Sequence, residues 1–110
     1  MHPEFKERVL ELSDIDMQKK LWLNINNDSG LISSYSDLYD SLYNELDCEI
    51  QEAEVSELKE GLSQLKTMLD TYQEPELYKN KYDDAVILDD PNWQEIVRKT
   101  KKLVDYLNIK

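Results

Sequence analysis

One cysteine and one histidine serve all 110 residues, and neither has the partner its chemistry needs. Cys48 alone cannot close an internal disulfide, which excludes a disulfide scaffold. With His2 as the sole imidazole, expected at a mobile terminus, no Cys/His or Ser/His nucleophilic constellation can be assembled, and no enzymatic role is expected. Glycine and proline are also scarce, at two and three residues. Turns must therefore be few, which favours helices joined by short connections over a sheet built from hairpins. No apolar run approaches the length needed to span a bilayer. Met1 is followed by His2, Pro3 and Glu4 in place of a basic start and an apolar stretch, so a soluble protein of the reducing cytoplasm is expected.

The most informative absence is positive charge. Between Lys20 and Lys59 there is no Lys or Arg, while the interval holds Asp28, Asp37, Asp40, Glu45, Asp47, Glu49, Glu52, Glu54 and Glu57. The last twenty residues reverse this, with Arg98, Lys99, Lys101, Lys102 and Lys110 against Glu95 and Asp105. The formal charge of −11 is thus unevenly distributed. Nucleic acid and anionic membranes would be repelled by the acidic region, whereas a basic protein would be drawn to it.

What the chain does have is helical periodicity and one core's worth of apolar residues, 40% of the total. Val55, Leu58, Leu62, Leu65, Leu69 and Tyr72 recur at steps of three and four and line one side of a helix, widened by Met68 and interrupted by Gly61. Such side chains contribute roughly 1.5 to 3 kcal/mol each on burial, so this stretch can anchor a core. The seam is short for a coiled coil, and a monomeric bundle is expected. Pro3 opens a first helix with Phe5, Val9 and Leu12 on one face. Ser13 with Asp16 reads as the cap of a second through Ile15, Gln18, Leu21, Trp22 and Ile25, whose wide apolar band, with Met17 and Leu23, predicts two packing neighbours. Residues 24 to 33 hold turn formers and predict a loop.

Ser34 with Asp37 caps a third helix. Leu38, Leu42 and Leu46 form one row on it, Tyr35, Tyr39 and Tyr43 the next, and Asp37, Asp40, Asn44 and Asp47 lie opposite. A break is expected near residues 48 to 53. Leu77, Tyr78 and Tyr82 after Pro75 suggest about two helical turns, and Ala85 to Leu88 an extended connector. Asp90 before Pro91 starts a last helix carrying Trp93, Ile96, Val97, Thr100, Val104 and Leu107 on one face. The expected fold is all-α, a single-domain bundle over 1 to 110 of about five helices around a central helix near residues 54 to 73.

No cofactor or metal is expected: the Asp83, Asp84, Asp89, Asp90 cluster lacks the spacing of a calcium loop, and Asp90 serves as a cap. The candidate binding surface is the acidic, tyrosine-rich third helix, since tyrosine is amphipathic and enriched at hot spots. The candidate residues are Tyr35, Asp37, Tyr39, Asp40, Tyr43, Glu45, Asp47 and Asp28.

Four stretches carry a resemblance: Pro3-Glu4-Phe5 with Val9-Leu10, Gln18 to Leu23, Tyr35 to Asp40, and Leu88 to Trp93. In order and overall size the chain resembles the small acidic helical immunity proteins that bacteria carry beside polymorphic and contact-dependent growth-inhibition toxins. The resemblance implies a cytoplasmic inhibitor that covers the active site of one cognate basic toxin domain, typically a nuclease. It supplies no fixed functional residues. Two other readings fit the same surface: a helical adaptor or regulatory subunit, and a nucleic-acid mimic that blocks a DNA-binding protein.

Overall fold

The computed structural model describes residues 1–23, 33–78 and 83–108. The chain is all-α, and six helices are seen among these residues: α1 (Pro3–Leu12), α2 (Ile15–Leu23), α3 (Tyr35–Glu52), α4 (Ser56–Thr71), α5 (Asp84–Leu88) and α6 (Pro91–Leu107). Four of them close a ring, in which α1 packs on α3, α3 on α4, α4 on α6, and α6 back on α1. The short pair α2 and α5 pack on each other, with α2 also against α1 and α5 against α6. The two neighbours expected for α2 are therefore α1 and α5.

The core is built from the rows that the periodicity predicts. Phe5, Val9 and Leu12 of α1, Leu38, Leu42 and Leu46 of α3, Leu62, Leu65 and Leu69 of α4, and Trp93, Ile96, Val97 and Val104 of α6 are all buried in one cluster. Gly61 has a structural role within the α4 seam. A Cβ added there would lie 2.7 Å from Leu103 Cδ1 and 3.2 Å from Leu107 Cδ1, so its bare backbone is what lets α6 approach α4. Val55 stands just before α4 and is 55% exposed, so the seam starts one turn later than the spacing predicts, at the half-buried Leu58.

The expected caps at α3 and α6 are present. Ser34 Oγ accepts from the Asp37 amide at 3.1 Å, and Asp90 Oδ1 from the Asn92 amide at 3.1 Å, with Pro91 in the first turn. At α2 the cap falls one residue later than expected. Asp14 Oδ1 accepts from the Met17 amide at 3.1 Å, while Ser13 Oγ donates back to the Leu10 carbonyl at 2.7 Å and closes α1. The break between α3 and α4 is seen at Ala53, whose ψ of 123° takes the backbone out of the helix at the edge of the expected interval.

One expectation needs correction. Ala85 to Leu88 is no extended connector: it is the body of α5, which places Ile87 and Leu88 in the core. After α4 the described part of the expected two helical turns is one turn, closed by the Tyr78 amide on the Pro75 carbonyl at 2.9 Å. Tyr82, and the expected loop apart from Ser33, lie outside the described residues.

A polar network crosses the core beneath α2. Gln18 is fully buried: its Nε2 donates to the Glu11 and Leu12 carbonyls at 2.9 and 3.1 Å, and its Oε1 accepts from Trp93 Nε1 at 2.9 Å. Glu11, also buried, accepts from Trp22 Nε1 at 3.0 Å, Ser33 Oγ at 2.9 Å and Arg8 at 3.2 Å. Every heavy polar atom named here has a partner, which is the condition for such a network to be tolerated in a core.

Candidate functional site

The acidic interval forms the outward face of α3. At 3.6 residues per turn, the buried leucines point inward and Asp37, Asp40, Asn44 and Asp47 outward, with Tyr39 and Tyr43 on the flank toward α4 and Glu45 toward α1. Asp37, Asp40, Asn44, Glu45 and Asp47 are all exposed.

The tyrosine row runs obliquely across this helix. Each step of four residues advances about 40° around the axis, so a row that begins at the core ends at the surface. Tyr35 is only 3% exposed. Its ring meets Trp22, Tyr39, Tyr72, Tyr78 and Trp93 with centroids 5.3 to 6.3 Å apart, and its hydroxyl donates to Glu74 at 3.0 Å. Burial drives its hydroxyl pKa far above the ordinary value. Tyr35 is thus a core residue and is not part of an accessible surface. Tyr39 is half-buried, its hydroxyl donating to the Leu69 carbonyl at 2.6 Å. Tyr43 stacks on Tyr39 at 5.8 Å and 9° and is 39% exposed, the one tyrosine of the row that presents substantial area to solvent.

On the α4 side of Tyr43 lies Asp70, whose hydrogen bond and negative charge raise the Tyr43 pKa. Asp47 forms an ion pair with Lys66 of α4, and that hydrogen bond in turn raises the lysine pKa. Among the described residues, no ion pair is formed by Asp37, Asp40 or Glu45. Asp28 lies outside the described residues.

The basic helix leaves this face alone. Within the ring, α6 packs on α1 and α4, diagonally opposite α3. Its Arg98 and Lys99 turn to Glu95 of their own helix, which holds the Glu95 pKa low and the Arg98 pKa high. The charge separation visible along the sequence therefore persists in space.

Sequence reasoning missed a second constellation. His2 is held where α1 begins and α3 ends: its amide and Nδ1 reach Glu49 Oε1 at 3.2 and 2.6 Å, and Nδ1 lies 3.8 Å from Glu52 Oε2. The hydrogen bond to Glu49 is the main reason the His2 pKa is raised. The residues stand 47 positions apart, and nothing local announces their meeting. Beside them a cleft of about 620 Å³ between α1 and α3 is lined by Glu4, Arg8, Ser41, Asn44 and Glu45.

The Asp cluster after α4 does not converge on one point of chemistry. Asp90 caps α6 and accepts from the Tyr72 hydroxyl at 2.7 Å, and Asp89 is exposed. Asp84 is buried, with Oδ1 unpartnered among the described residues; burial raises its pKa, and a backbone hydrogen bond from Tyr35 offsets that in part. No helix among the described residues is long and apolar enough to cross a membrane. No protein-family model, curated protein or solved structure matches this chain.

Proposed function

We propose that this chain is a binding protein for a basic protein partner, and that it acts as an immunity protein, neutralising one cognate toxin domain by covering a positively charged active-site groove such as that of a nuclease. The observation that carries this reading is the outward face of α3, where exposed Asp37 and Asp40, with Glu45 on its flank, form no ion pair among the described residues and the basic helix stands diagonally away. Concentrated like charge raises the energy of the folded chain by self-repulsion, and the same field accelerates the approach of an oppositely charged partner. An enzyme that grips nucleic acid needs a groove of Lys and Arg, and carboxylates can occupy it in the place of phosphates.

Within this reading the working surface differs from the row of residues named from sequence. Tyr35 supplies rigidity beneath it. Tyr43, backed by Tyr39 and flanked by Asp70, offers the aromatic contact, while Asp47 exchanges its lysine partner for one from the toxin. Exposed ion pairs contribute little to stability, so that exchange costs the fold little. The specific class, an immunity protein, rests on the resemblance in sequence.

Co-expression tests it. With the toxin domain encoded directly before it in the producing strain, the wild-type chain should restore growth, and Asp37→Asn/Asp40→Asn/Glu45→Gln should restore it poorly. Continued toxicity with the wild-type chain present would contradict the assignment.

A further inference from the structure

We propose that the corner where α1 begins and α3 ends is a divalent-cation site, with His2 Nδ1, Glu49 Oε1 and Glu52 Oε2 as its ligands and Zn²⁺ as the ion it suits. Each of the three residues offers a ligand atom within 4.8 Å of those of the other two. This site is independent of the acidic binding surface: it uses no residue of that surface, and it could exist whatever the partner is.

Its strongest element is Glu49, a carboxylate only 3% exposed. A buried carboxylate needs positive charge or several donors beside it. No Lys or Arg pairs with Glu49 among the described residues, and its described partners are the amide and imidazole of His2. Glu52 follows three positions later on the same helix, which brings its carboxylate to the same side. Immediately after it Ala53 leaves helical geometry, and a cleft of about 450 Å³ opens beside the three ligands, lined also by Glu54, Val55 and Leu58. There is room for an ion and for water to complete its shell.

The donor set favours one metal. Ca²⁺ and Mg²⁺ take all-oxygen sites, whereas zinc accepts imidazole nitrogen and carboxylate oxygen together and can keep a fourth position open beside three protein ligands. Ligand atoms of a tetrahedral zinc at about 2.0 to 2.1 Å stand roughly 3.3 Å apart. The observed 2.6 and 3.8 Å separations bracket that spacing, and His2 and Glu52, at 63% and 57% side-chain exposure, are free to adjust around the fixed Glu49. Two carboxylates would neutralise the ion's charge.

A bland alternative is a His–Glu hydrogen bond with no metal. Exposed Cys48, whose thiol contacts Glu52 Oε1 at 3.6 Å, is a second source of zinc affinity that must be separated from the proposed one. Isothermal titration of the metal-stripped full chain with zinc chloride at ~150 mM salt, where exposed carboxylates are screened, makes the distinction. The expected result is one ion per chain. Glu52→Gln and His2→Ala should each weaken it about tenfold or more, with Cys48→Ser retaining it, and Co²⁺ should give the visible spectrum of a four-coordinate site. Because Glu52 is largely exposed, the thermal melt of Glu52→Gln without metal should match the wild type, which separates lost binding from lost folding. No binding tighter than about 100 μM, or binding that survives Glu52→Gln and disappears in Cys48→Ser, would overturn the site.

Discussion

Gln18 shows how much of this fold is decided by single polar groups. It ties the end of α1, the start of α2 and the indole of Trp93 on α6 together through three hydrogen bonds. Replacing it with leucine keeps the volume but strands an indole N–H and two carbonyls away from water. Gln18→Leu should therefore lower stability by about 3 kcal/mol in urea unfolding, well beyond an ordinary surface change. Asp84 is the opposite case, a buried group that works against the fold. Its pKa is raised in the folded state, so the folded chain binds that proton more tightly than the unfolded one, and Asp84 stabilises most at pH below the ordinary carboxylate value. As pH rises past that value the contribution is lost. Asp84→Asn should consequently gain about 1 kcal/mol at pH 7 and little at pH 3, which unfolding curves at the two pH values will reveal.

At the scale of elements, the approach of α6 to α4 depends on Gly61. Leucine at this position improves helix propensity by roughly 1 kcal/mol. It also places a side chain where Leu103 Cδ1 would lie 2.7 Å from its first carbon. Overpacking dominates, and Gly61→Leu should cost about 2 kcal/mol overall in unfolding measurements, with α6 displaced from α4. The long helices α1, α3, α4 and α6 were legible in the sequence because three- and four-residue spacing repeats often enough in each to fix a face, and because Ser34 with Asp37 and Asp90 with Pro91 mark two of the starts. Helix α5 was not: five residues give no room for a period to show, and Ala85 to Leu88 is too brief a run to tell helix from strand by pattern. The choice of Asp14 over Ser13 as cap turns on one position, with both residues chemically competent. For the candidate surface, the run of acids was plain, but the burial of Tyr35 was not. Its fate depends on Trp22, Tyr72, Tyr78 and Trp93 arriving from distant parts of the chain. The pairing of His2 with Glu49 was hidden for the same reason.

The molecule as a whole is a four-helix ring carrying opposite charge on two diagonal walls. That arrangement supports the proposed function, because neighbouring positions for α3 and α6 would have let lysines and arginines neutralise the acidic face from within. The unpaired charge of this face among the described residues is carried by Asp37, Asp40 and Glu45, with Tyr43 beside them. Charge of this kind acts chiefly on the encounter, so its removal should slow association more than it speeds dissociation. The most direct measurement is the association rate with the captured basic partner, followed from low to high ionic strength for the wild-type chain and for Asp37→Asn/Asp40→Asn/Glu45→Gln. The wild-type rate should fall steeply with salt, while the variant starts about tenfold or more slower and responds weakly. Equal rates and equal salt slopes for the two proteins would contradict the claim that this face draws the partner in.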